Sequence, residues 1–182
     1  MKTTLLSLSL AALLLAGCSK TVTWKEEVQL SDGRVIVVER ETFNVSGGDE
    51  MAHGSGYRPS EARIRINTEG IVTEWHSTKK DRSQWPENPL VLDIVNGEVI
   101  VMSAVPTSPT CDTYSKYVFH NGLWREETLP EEFPRRDTNL YLRDAMGMPS
   151  FVDLPTKSKE NQSSRYPRRL RQVGPHRTFC HG

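Results

Sequence analysis

The sequence predicts a mainly β protein: a small antiparallel barrel or sandwich built from hairpins, followed by a flexible basic C-terminal tail. Three observations carry this expectation. Apolar runs flank Asn96-Gly97 and Asn121-Gly122, and an Asn-Gly pair tolerates the positive φ angles of a two-residue hairpin turn. Apolar and polar residues alternate with a period of two early in the chain. The segments between the apolar runs lack helical periodicity.

Taken in order, the 182 residues open on a leader. Lys2 and the start amine are positive, and Leu5 to Ala16 is apolar. At about 1.5 Å per residue that run covers about 18 Å, short of a ~30 Å hydrocarbon core, and polar Ser19-Lys20 ends it. Residues 1–17 are therefore an export signal outside the fold.

The first strand alternates through Val22, Trp24, Val28 and Leu30, with Glu26 as its exception. Ser31-Asp32-Gly33 supplies a turn, and Arg34 to Phe43 returns. Its opening Val35-Ile36-Val37-Val38 is β-branched and apolar on both faces, which suits the middle of a sheet. A second pair runs Arg63 to Ile66 and Ile71 to Trp75 around Asn67-Thr68-Glu69-Gly70. Leu90 to Val95 then meets Val99 to Val105, and Tyr114 to Phe119 meets Leu123 to Leu129. Ser46 to Gly56, Lys79 to Pro89 and Val105 to Asp112 are rich in glycine, charge or proline and read as loops. Seven or eight short strands fit a barrel or a sandwich, and the sequence leaves both open.

Beyond Leu129, Pro130, Pro134, Pro149 and Pro155 interrupt the pattern, and only Asn139 to Leu142 looks regular. From Pro155 onward the aliphatics are Leu170 and Val173, too little apolar surface to offset ordering entropy. A short helix near Ser163 to Gln172, limited by Pro167, is the one element expected there. The net charge of zero hides a division. Ser19 to Leu154 holds 15 Lys and Arg against 22 Asp and Glu, whereas Pro155 to Gly182 holds 7 against 1.

Catalytic and metal motifs are weak. Asp49, Glu50 and His53 share a loop but match no metal-ligand spacing, and no metal or other cofactor is expected. Ser77-Thr78-Lys79-Lys80 has Ser-x-x-Lys spacing without the partner motifs that chemistry needs. Cys111 and His120 carry no nucleophile signature. Trp24, Trp75 and Trp124 fall on strands and suit a core, leaving Trp85 in its loop as the better contact residue. Arg165, Arg168, Arg169 and Arg171 form a cluster with forked donors suited to anionic surfaces.

Leu15-Ala16-Gly17-Cys18 resembles the lipobox of bacterial lipoproteins. The resemblance implies lipid on the Cys18 thiol, cleavage before Cys18 and acylation of the new amine. It also implies that Ser19, in a Gram-negative host, directs the protein to the outer membrane facing the periplasm. On that reading residues 18–21 are a lipidated terminus and short tether, 22–154 a β domain and 155–182 a largely disordered tail. Trp24 to Val38 is similar to the openings of uncharacterised proteobacterial lipoproteins, a group that imports no activity. With Cys18 lipidated, Cys111 and Cys180 remain, and outside the cytoplasm they either pair or stay apart. The expected role is non-enzymatic: structure or contact with an envelope protein, with the membrane held through Cys18 and no nucleic-acid partner. The alternative is a module binding an envelope glycan or anionic lipid through loop aromatics and the basic tail.

Overall fold

The computed structural model describes residues 19–46, 56–108, 111–129, 136–142, 147, 149–163, 169–170 and 178–180. Period-two alternation gives each early strand one apolar face, and two such faces close on each other as a sandwich rather than a barrel. The first sheet contains β1 (Ser19–Gln29), β2 (Val35–Ser46), β3 (Tyr57–Thr68) and β4 (Ile71–His76) in that order. The second contains β5 (Asn88–Val95), β6 (Glu98–Pro106) and β7 (Cys111–His120). Along its outer edge β7 takes β8 (Leu123–Glu127) at one end and β12 (Thr178–Cys180) at the other. Short β9 (Arg136–Asp137) pairs with β11 (Arg169–Leu170), and β10 (Phe151–Val152) adds in parallel to the β1 edge.

The hairpin turns follow the chemistry expected of them. Asn96 and Gly97 have φ of 53° and 80°, and Asn121 and Gly122 have 50° and 80°. Glu69 and Gly70 do the same at 51° and 79°, so the turn expected to span Asn67 to Gly70 shrinks to two residues. Thr68 and Ile71 accordingly belong to the paired strands.

Val28, Ile36, Val38, Ile64, Ile66 and Trp75 from the first sheet meet Leu92, Ile94, Val99, Val101 and Tyr117 from the second. Burying each large apolar side chain contributes roughly 1.5–3 kcal/mol. The second sheet is covered on its other side too, where Val91, Met102, Ala104 and Tyr114 pack with Leu129 and Leu142. That double burial explains why β5 is apolar almost without alternation. β2 does occupy the middle of the first sheet, but its outer face is open: Val35 and Val37 are 48% and 47% exposed.

Side chains close both flanks of the sandwich. On one flank Trp124 Nε1 donates to Thr73 Oγ1 at 2.9 Å, joining β8 to β4. On the other, Asn139 takes the place of a neighbouring strand on β5. Its Oδ1 accepts from Leu92 N at 2.9 Å, and its Nδ2 donates to Leu92 O at 2.7 Å and to Gln29 O at 2.8 Å. One amide thus satisfies the β5 edge and ties it to β1.

The expectation of a flexible tail from Pro155 is corrected for residues 155–163. Helix α1 (Leu154–Glu160) starts there, and a 3-10 turn (Asn161–Ser163) follows. Asp153 caps the helix by accepting from Thr156 N at 2.8 Å, and Pro155 lies in the first turn, where a missing N–H costs little. Lys157 and Asn161 are buried against the body. Asn161 Oδ1 accepts from Leu142 N at 3.0 Å, and its Nδ2 donates to Leu140 O at 2.9 Å. Of the helix expected near Ser163 to Gln172, residues 164–168 and 171–172 lie outside the described residues, and Arg169–Leu170 is strand.

Asn139→Ala should lower stability by about 1–3 kcal/mol in urea unfolding, because it strands paired backbone groups at the β5 edge. Asn139→Asp should cost more, since it turns a carboxylate toward two carbonyl oxygens. Equal stability in both variants would contradict the assigned role.

Candidate functional site

The sandwich has two unlike ends. The turns at Asp32-Gly33, Glu69-Gly70, Asn96-Gly97 and Asn121-Gly122 share one end, where Ser31 N donates to Asp93 Oδ1 at 3.1 Å across the layers. At the other end β1 starts, β2 finishes, β3 starts and the 77–87 loop crosses. Ser19 pairs with Val45, which pairs with Arg58, so one row spans three strands at this end. Asn44 Nδ2 donates to Lys20 O at 3.1 Å and fixes the first turn of pairing. Arg58 donates to Gln84 O at 3.1 Å, and Lys80 Nζ to Ser60 Oγ at 3.3 Å, which holds the loop against β3.

Cys18 lies outside the described residues, one peptide bond before β1. The expected tether over 18–21 is corrected for residues 19–21, which are paired strand: Ser19, Lys20 and Thr21 face Val45, Asn44 and Phe43. Cys111 is disulfide-bonded, and β12 sets Cys180 directly across from it in the ladder. Directly opposed residues of an antiparallel pair have Cα atoms about 4.5–5.5 Å apart, within disulfide reach. Of the arginine cluster, Arg169 pairs through its backbone with Asp137, and Arg165, Arg168 and Arg171 lie outside the described residues.

Other candidates disperse. Ser77 Oγ accepts from Ala62 N at 3.0 Å while Lys80 reaches Ser60, so the Ser-x-x-Lys pair does not meet. Cys111 and His120 sit at opposite ends of β7. Asp49, Glu50 and His53 lie outside the described residues. Among the described residues no group of three or more His, Cys, Asp or Glu could hold a metal ion, and no helix is long and apolar enough to cross a membrane. Trp24 and Trp75 are buried and Trp124 packs against the core, whereas Trp85 is half-buried in its loop.

Two buried polar clusters stand out. Glu26, the exception to the β1 alternation, points inward with a side-chain exposure of 0%. Its Oε1 meets Arg40 at 2.8 Å, and its Oε2 accepts from Tyr141 N at 3.0 Å and lies 3.6 Å from Lys157 Nζ. Arg40 also stacks 5.2 Å from the centroid of the Trp24 ring. Burial pushes the Lys157 ammonium below its ordinary pKa, and the Glu26 charge opposes that shift.

The second cluster surrounds Glu87, which is fully buried beneath the 77–87 loop. It accepts from Thr78 N at 2.7 Å, Ser103 Oγ at 2.5 Å and the Tyr117 hydroxyl at 3.0 Å. Burial, reinforced by the Glu87 charge, pushes the Tyr117 phenol well above its ordinary value of 10.0. The Glu26 cluster had a sequence signal in the broken alternation; Glu87, lying in a loop, had none.

The outer face of the first sheet is ionic. Arg65 bridges Glu39, Glu41 and Glu74, while Arg63 bridges Glu41 and Glu61. His76 lies 2.8 Å from Glu61 and 2.5 Å from Glu74. Glu61 is held below its ordinary pKa chiefly by its hydrogen bond to Arg63. Exposed Val35, Val37 and Val72 border this lattice.

Glu26→Ala should destabilise by about 3–5 kcal/mol in chemical unfolding, because it leaves Arg40 and Lys157 buried without their carboxylate. Replacing Glu26, Arg40 and Lys157 together by Met should recover most of that loss. A mild single-variant effect would contradict the buried-charge reading. In alkali, Tyr117 favours folding below pH 10, and that contribution is lost as pH rises through 10 and above, because its folded pKa is the higher one. Absorbance titration should therefore show a tyrosine signal that stays protonated until the protein unfolds, and Tyr117→Phe should reduce that signal by one phenol.

No family model, curated protein or solved structure matches this chain, so its own geometry carries the functional reading.

Proposed function

We propose that this chain is a lipid-anchored protein of the bacterial cell envelope whose β-sandwich serves structure or protein contact rather than catalysis. The observation that carries the reading is the position of Cys18. It closes the lipobox-like Leu15-Ala16-Gly17 and immediately precedes the first paired residue of β1. A lipid on that thiol would be attached one residue before the sheet. The disulfide at Cys111 supports an oxidising compartment.

The engaged polar groups support a structural role. Glu26, Glu87 and the outer carboxylates are taken up in bonds that tie strands and loops together. For contact with an envelope protein, the outer face of the first sheet offers Val35, Val37 and Val72 beside its ionic lattice. Two or more acyl chains suffice for stable anchoring, at about 0.8 kcal/mol per buried CH₂.

Cys18→Ser should release the protein from the membrane fraction, and the mass of the wild-type N-terminal peptide should show an acylated Cys18. Undiminished membrane retention of the variant would contradict the proposal.

A further inference from the structure

The geometry points to a second membrane contact, built into the fold: the end of the sandwich beside Cys18 is a docking surface for the anionic lipid in which the protein is anchored. This rests on the lipid-anchor reading and deepens it. Lys20, Arg58, Lys80 and Arg82 gather at that end, with Lys20, Lys80 and Arg82 exposed. Among the described residues the nearby carboxylates include Asp81, which accepts from Trp85 N at 2.8 Å, Glu61, which pairs with Arg63, and buried Glu87, while Asp49 and Glu50, between β2 and β3 in the chain, lie outside the described residues. Half-buried Trp85 lies in the same loop, and tryptophan is favoured at membrane–water interfaces.

The distances make this end the one that matters. Cys18 and Ser19 are consecutive, so their Cα atoms are about 3.8 Å apart. Arg58 stands two strands over in the Ser19 row, about 10 Å away at ordinary strand spacing. That is close to one Debye length at physiological salt, so these cations remain within reach of headgroup phosphates. The opposite end carries Asp32, Glu69 and Glu98 with Arg34. The 12 residues of β2 separate the ends by about 40 Å, several Debye lengths. The acidic body is thus screened from the surface, while its basic end is held against it. The bond from Arg58 to Gln84 O keeps the loop in place for that contact.

Full-length processed protein in vesicles of phosphatidylethanolamine, with or without phosphatidylglycerol, tests this by hydrogen exchange and flotation. Amides of Lys80 to Trp85 should exchange several-fold more slowly on the vesicles containing phosphatidylglycerol, while the Asn96-Gly97 turn is unchanged. High salt, or Lys20→Glu with Lys80→Glu and Arg82→Glu, should abolish the slowing, each charge removed weakening the contact roughly fivefold. Protein that floats with both vesicle types but exchanges equally on them overturns the docking surface alone. So does slowing that survives both salt and the triple variant. Protein that floats with neither overturns the anchor reading, and the docking surface with it.

Discussion

The carboxylate of Glu26 is the point on which this sandwich turns. It sits on the inner face of β1, where the alternation asks for an apolar residue, and it gathers Arg40 from β2, Lys157 from α1 and the backbone of Tyr141. Three buried charges are stable only as a set, since removing one leaves the others without compensation. The set therefore obliges residues 139–142 and 149–161 to lie along the β1 flank. There Asn139 seals the β5 edge and Asn161 clamps the segment in place. Without that flank, the apolar interior between β1 and β5 would open to water.

Much of the architecture follows from local chemistry. Asn96-Gly97 and Asn121-Gly122 mark their hairpins because both residues accept positive φ. Glu69 adopts the same conformation, but glutamate has no local preference for it, so the sequence blurs that turn into four residues. The break at Glu26 is visible in the alternation; its partners are not, because Arg40 and Lys157 meet it only through register and tertiary packing. Asn139 is illegible for the same reason, since a strand edge closed by one side-chain amide leaves no periodic trace.

The C-terminal region shows how composition misleads. Its polar, basic character suggests disorder from Pro155, yet Asp153-Leu154-Pro155 is a helix start and the helix docks through Lys157. Burial of a lysine is unusual, and the Glu26 charge with the carbonyl oxygens of Glu27 and Asn139 makes it tolerable. The place of Cys180 is likewise a matter of register: β12 brings it opposite Cys111 across a long stretch of chain.

The proposed anchor and the observed fold combine into one claim: the sandwich stands directly on the bilayer, without a tether. Neutron reflectometry of the processed protein in a supported bilayer containing phosphatidylglycerol measures this. The account expects a protein layer about 40 Å thick that begins at the headgroups with no water layer between. A protein layer separated from the headgroups by a water-filled gap would contradict it.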